Sequence, residues 1–199
     1  MAIRSDSIMS YSGYRTSDKM EMYTVYVDSI EKLRIKSQEM KIKRLYLVGD
    51  FNEIIENGDI PSTVTELFFG WDYNQKIEPY VLPNNINKIV FTGKYNQSFE
   101  IGSLPPKLVT LHLSDKYNRY LKPGVFPPSL KILVFGEEFN QIIKPNVLPY
   151  RLKVLVLGKN FNVPIPQDSI PSKLRQLFIY NTSYNYGLSI PYTCSVNGK

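Results

Sequence analysis

The sequence is poor in the residues that do chemistry. Its 199 residues hold one cysteine, one histidine and one tryptophan. A single cysteine, Cys194, excludes an internal disulfide framework and a multi-cysteine zinc site, and it suits a reducing compartment. The one histidine, His112, has no second histidine with which to build a metal site. There is no Gly-rich phosphate loop, no His-x-x-x-His helix and no Gly-x-Ser-x-Gly elbow. No apolar run approaches the length of a membrane span, and the opening Met1-Ala2-Ile3-Arg4-Ser5-Asp6-Ser7 has no apolar core of a secretory leader. Charge is also undramatic: 24 basic less 18 acidic residues leaves +6, with a pI of about 9.2 and no block of like charges. A balance of that size aids attraction to nucleic acid or to an acidic partner and identifies neither. The expectation is an intracellular, cytoplasmic protein, not an enzyme, with no cofactor, no metal and no membrane contact.

What the sequence does have is repetition. Prolines stand at 61, 83, 105, 127, 149 and 171, each 22 residues after the last. Asparagines keep the same step: Asn52, Asn74, Asn96, Asn118, Asn140 and Asn162, each preceded by Phe or Tyr. Apolar positions follow suit. One column runs Leu45, Leu67, Ile89, Leu111, Leu133, Leu155, Leu177, and a second, two residues on, runs Leu47, Phe69, Phe91, Leu113, Phe135, Leu157, Ile179. A pair two apart points to one face of a short strand. A 22-residue unit cannot bury that face alone, but stacked units can, in a parallel ladder with about 4.8 Å between strands. The spacing therefore predicts a mainly β repeat solenoid of about six units with irregular or 3-10 return segments.

The other columns have local reasons. Proline suits a bend before the strand, because its φ is fixed and it has no N–H to satisfy. Gly70, Gly136 and Gly158 follow the strand and are expected to let the chain turn away. The asparagine column reads as a buried amide ladder that serves loop backbone lacking its own partners.

The recurring Phe51-Asn52, Tyr73-Asn74-Gln75, Tyr95-Asn96-Gln97, Phe139-Asn140-Gln141 and Phe161-Asn162, with Val81-Leu82-Pro83 and Val147-Leu148-Pro149, resemble the FNIP repeat. The resemblance spans residues 40–180. It implies kinship with leucine-rich repeats, a role in protein binding, and an origin in amoebae or the giant viruses that infect them, so that the location would be host cytoplasm or virion. The unit departs from the common leucine-rich pattern: the asparagine falls five residues after the second strand position (74 − 69 = 5) rather than three. Many family members carry an F-box ahead of the repeats, implying ubiquitin-ligase adaptors. Residues 1–22 lack the apolar stripe for one and read as a flexible tail. Residues 23–39 read as a strand and short helix capping the solenoid, with Asp28 and Glu31 placed as a capping box. Residues 181–199, where Tyr184 arrives one residue late, read as a C-terminal cap.

Candidate binding residues lie between the inward strand positions: Tyr46, Phe68, Val90, His112, Val134, Val156 and Phe178. They point out of the sheet and form an apolar column about 29 Å long at ladder spacing. Such a column marks an interface or reflects strand propensity alone. Trp71 is either a packed loop residue, the more ordinary role, or an exposed anchor for a partner. Asp50, Glu53, Glu56 and Asp59 read as a solvated acidic loop rather than a metal site. Three functions follow: a protein-binding scaffold of unknown partner, a homo-oligomeric or virion-associated building block, and, least favoured, weak nucleic-acid binding through the dispersed Lys76, Lys94, Lys116, Lys122, Lys144 and Lys159.

Overall fold

A computed structural model of the chain describes residues 23–188, 190–191 and 194–197. The sequence-based expectation of a tail at 1–22 lies outside them. Strand β1 (Tyr23–Val27) leads into helix α1 (Ile30–Glu39), and eight further strands follow: β2 (Ile42–Leu47), β3 (Glu66–Phe69), β4 (Lys88–Phe91), β5 (Thr110–His112), β6 (Ile132–Val134), β7 (Val154–Leu157), β8 (Gln176–Ile179) and β9 (Ser195–Asn197). Among the described residues they make one parallel sheet in chain order.

Register reports the coil lengths. Leu45 pairs with Leu67, Ile89, Leu111, Leu133, Leu155 and Leu177 in turn, six steps of 22 residues. Val25 pairs with Leu45 after 20 residues and Leu177 with Val196 after 19. The molecule is thus a parallel β-solenoid of eight coils, the six regular units flanked by a shorter coil at each end.

Both inward strand columns are buried, as are Ile55, Ile77, Phe99, Leu121, Ile143 and Ile165 of the return segments, in one continuous core. Down its centre runs an aromatic stack. Phe51, Tyr73, Tyr95, Tyr117, Phe139, Phe161 and Tyr184 lie face to face with centroids 5.8 to 6.4 Å apart. Phe91 packs on Tyr95 at 3.9 Å and Phe135 on Phe139 at 3.8 Å, tying strand to return segment within a coil. Offset stacking of this kind adds to the area each ring buries.

Each proline of the column closes a tight turn. The carbonyls of Pro61, Pro83, Pro105, Pro127, Pro149 and Pro171 each accept the N–H of the residue three on, which is the buried Val64, Ile86, Leu108, Leu130, Leu152 or Leu174. The turn drives that side chain inward just before the strand begins. A second turn in the return segment needs a left-handed residue. Gly58, Tyr80, Gly102, Gly124, Asn146 and Asp168 fill it with φ between 64° and 95°, again 22 apart. Glycine, Asn and Asp tolerate that conformation, and Tyr80 bears its strain.

Several local expectations change. The asparagines form a ladder, but it is not buried: Asn52, Asn140 and Asn162 are exposed and Asn74, Asn96 and Asn118 half-buried. Each side-chain oxygen accepts the backbone N–H of the next asparagine in the column, at 2.8 to 3.0 Å over five steps. Return segments lack a continuous strand ladder, so the amide oxygen supplies the missing acceptor at the rim rather than in the core. Gln97 and Gln141 add donations to the preceding coil's asparagine.

Gly70, Gly136 and Gly158 are also not conformational hinges, for none has a left-handed φ. They are small because coils approach closely. A Cβ on Gly70 would sit 2.6 Å from the Leu47 carbonyl oxygen, and one on Gly136 or Gly158 would press on the carbonyl of Ser114 or Gly136. At the N-terminal end, Ser29 rather than Asp28 caps α1, accepting the Lys32 N–H at 3.3 Å, while Asp28 pairs with Lys32. The acidic loop is not simply solvated. Asp59 is buried, bonded to Arg34 at 2.8 Å and to the Glu56 N–H at 2.8 Å, and Glu53 accepts the Ile30 N–H. These carboxylates fasten α1 to the first regular coil.

Candidate functional site

The outward column is assembled by strand register. Tyr46, Phe68, Val90, His112, Val134, Val156 and Phe178 are cross-strand neighbours in one unbroken line. All seven are half-buried, shielded by one another but facing outward. At the N-terminal end Tyr26 stacks on Tyr46 at 4.6 Å and Tyr46 on Phe68 at 4.1 Å, with the Lys88 ammonium over the Phe68 ring. Toward the middle the column turns aliphatic.

The middle of the column is the wall of a groove of about 500 Å³. Val90, His112, Val134 and Val156 line it, Trp71 stands at one end and Tyr180 at the other. Tyr46, Phe68 and Phe178 lie outside it. Trp71 is 61% exposed, which overturns the packed-loop reading. The residues that make the groove possible were missed in the sequence. The position after each strand is small across the middle coils, at Ser114, Gly136 and Gly158, and large at the far end, at Tyr180. The close coil approach that demands glycine there also removes side chains that would fill the space. Gly93, left-handed and set against the Trp71 backbone, does the same one residue further on.

His112 is half-buried, and its pKa is lowered first by that burial and then by the Lys88 charge. Both effects favour the neutral ring, a polar edge on an apolar wall. The groove's lining also holds an ion pair, Lys159 with Glu137, and next to it in the chain Lys116 pairs with Glu138. Cys194 is half-buried beside β9, and burial raises its thiol pKa. It is remote in the fold from His112, which lies on β5. No trio of His, Cys, Asp or Glu among the described residues is grouped to hold a metal ion, and no described helix is long and apolar enough to cross a membrane.

Comparison with known proteins agrees with this architecture. The FNIP Repeat family matches residues 40–72, 73–116, 117–155 and 139–182. Among solved structures the chain is similar to the giant-virus protein CroV588, described as a novel circular LRR protein, with 33% identity and a TM-score of 0.74. The likeness covers 78% of this chain but only 23% of that one, so the chain matches under a quarter of its neighbour's length. No curated protein matches the chain. Repeats of this family on a leucine-rich-repeat-like solenoid form scaffolds that generally do no chemistry, and with matches running almost unbroken from residue 40 to 182 the chain belongs to the FNIP repeat family.

Proposed function

We propose that the protein is a non-catalytic scaffold that binds a protein partner along the outward face of its sheet. The observation that carries this reading is the groove: a wall of Val90, Val134 and Val156 interrupted by His112 and ending on an exposed Trp71. A soluble surface seldom presents so long an apolar line without covering it, and an exposed tryptophan at the edge of a groove is a typical anchor. The ladder holds the wall rigid, so little ordering cost falls on this side of an interface.

Two measurements test it. Light scattering gives the solution mass against 23.0 kDa for one chain, and affinity capture from host-cell lysate compares the wild type with Val134→Lys/Val156→Lys and Trp71→Ala. The expected result is a monomer whose captured proteins are lost in both variants. A dimer abolished by the lysine substitutions would make the partner a second copy of this chain. Capture and mass indifferent to both variants would refute the reading.

A further inference from the structure

Charges on the two sides of the strands are arranged differently. Between the strands, past the point where the chain leaves them, four lysines are matched to carboxylates of adjacent coils, Lys94 with Asp72 at 2.5 Å, Lys122 with Glu100 at 3.2 Å, Lys159 with Glu137 and Lys116 with Glu138, while Lys144 lies over the Tyr120 ring and Arg119 on the Asn96 carbonyl. On the side where the chain arrives, the last four regular coils carry Lys107, Lys131, Arg151, Lys153, Lys173 and Arg175. Residues 105–114, 127–136, 149–158 and 171–180 contain no aspartate or glutamate at all. None of the six cations has a carboxylate within salt-bridge distance among the described residues. Their polar contacts are neutral: Lys107 with the Asn85 side chain, Lys153 with the Lys173 carbonyl, and Arg151 and Lys173 over the Tyr150 ring.

The ladder makes this arrangement tight. Lys153 N–H donates to the Lys131 carbonyl at 2.8 Å and Arg175 N–H to the Lys153 carbonyl at 2.9 Å, so three cations stack at strand spacing. Like charges directly opposite one another oppose folding. The Lys153 ammonium shows the strain: its pKa is lowered, first by desolvation and then by Arg175, Lys173 and Lys131. Five of the six side chains are exposed.

We propose that this cationic strip and the aliphatic wall beside it form one surface for an acidic, apolar protein segment. The inference rests on the outward face being the binding surface and adds the chemistry of what binds. Two of the cations abut outward aliphatics, Lys131 beside Ile132 and Val134, Lys153 beside Val154 and Val156, while Arg175 stands beside Gln176 and Phe178. That neighbourhood favours protein over nucleic acid. Single strands hold to their proteins by stacking bases on open aromatic rings, whereas the ring inside the strip, Tyr150, already lies under Arg151 and Lys173, and the outward residues beside Lys131 and Lys153 are β-branched aliphatics. A segment that alternates apolar and acidic side chains satisfies both halves, with its carboxylates replacing the counter-charges the strip lacks.

The test uses the full chain and a fluorescein-labelled synthetic peptide alternating glutamate with leucine, its glutamine–leucine counterpart, and labelled oligouridylate. Anisotropy is read for the wild type, for Lys153→Glu/Arg175→Glu and for Val134→Lys/Val156→Lys, with thermal melts showing that each variant folds. The glutamate peptide is expected to bind best, to weaken about tenfold or more in the charge-reversed protein, and to weaken with added salt. Binding of that peptide unchanged by charge reversal would overturn the proposal, as would oligouridylate binding as tightly. Failure of the underlying reading looks different. If Val134→Lys/Val156→Lys leaves binding intact while charge reversal abolishes it, the cations act without the apolar wall. If the glutamine peptide binds equally well and only the lysine variant loses it, the wall acts without the cations and the acidic partner is wrong.

Discussion

Tyrosine in the central stack carries a cost that phenylalanine does not. Tyr73 and Tyr95 are fully buried, and their hydroxyls have no hydrogen-bond partner among the described residues. Phe51, Phe139 and Phe161 occupy the same column without that penalty. An unsatisfied buried hydroxyl costs about 1–3 kcal/mol, so Tyr95→Phe is expected to keep or raise stability at neutral pH. At alkaline pH the two proteins diverge. Burial raises the pKa of Tyr73, Tyr95 and Tyr117 above the ordinary value of 10.0. The folded state then holds protons that the unfolded chain gives up, so stability is intact below the unfolded pKa and falls as pH rises past it. Thermal melts between about pH 8 and 11.5 should show a steeper alkaline loss for the wild type than for Tyr73→Phe/Tyr95→Phe, given ordinary tyrosine titration near 10. Equal slopes would mean that water reaches the hydroxyls in the folded state and burial does not raise their pKa. The asparagine column makes the opposite case. Asn118 accepts the Asn140 N–H at 3.0 Å and the Gln141 amide at 2.9 Å. Asn118→Leu orphans these donors at a partly wet rim, and a loss of about 1–2 kcal/mol, the lower part of the range for an unmet donor, is expected in denaturant melts.

At the scale of the coil, glycine works in two ways, and substitution separates them. Gly136 and Gly158 have ordinary φ but no room for a Cβ. Gly136→Ala and Gly158→Ala should push coils apart at a cost of about 1–3 kcal/mol, the usual range for overpacking. A Cβ on Gly187 meets nothing within 4 Å, so Gly187→Ala serves as the neutral comparison. Tyr80 poses the reverse problem. It is 77% exposed with φ 64°, in a column where glycine serves at 58, 102 and 124. Tyr80→Gly should gain about 1 kcal/mol, the cost of an L-residue held left-handed, read as a higher midpoint in denaturant. The coil was legible in sequence wherever one residue type recurred for one reason: the leucine pairs, the prolines and the aromatic before each asparagine. It was illegible where different residues served one need. Gly58, Tyr80, Gly102, Gly124, Asn146 and Asp168 share a φ, not a composition. The groove escaped for the same reason, because its floor is defined by the absence of side chains in Ser114, Gly136 and Gly158. Trp71 was visible at once, yet its exposure follows from how the coil before Gly93 is placed, which no spacing rule reports.

At the scale of the molecule, stability is a sum over coils and the contacts between neighbours. Every interior strand has two neighbours, whereas β1 and β9 each have one among the described strands. The two ends are not equally fastened. The first coil is held by α1, by the buried Asp59–Arg34 pair and by Glu53 on the Ile30 N–H. The last is a 19-residue coil whose described ties include Tyr184 stacked on Phe161 at 5.8 Å, the Asn181 amide on the Phe161 carbonyl, the Ser195 hydroxyl on the Arg175 carbonyl and a three-residue strand, with no buried ion pair among them. Opening should therefore begin at the C-terminal end, before the central coils exchange. Cys194 is a built-in reporter, because its thiol is half-buried and opening of that coil bares the rest of it. Labelling by a thiol reagent is expected to proceed under native conditions far faster than global unfolding, and Tyr184→Ala should speed it several-fold without moving the main denaturation midpoint by more than a few tenths molar. Amide exchange read by mass spectrometry then gives the order along the chain, fastest at β9, slowest from β4 to β7. Labelling that tracks global unfolding instead, with β1 and β9 protected alike, would show that the solenoid unfolds as one cooperative unit and that the last coil is as firmly seated as the first.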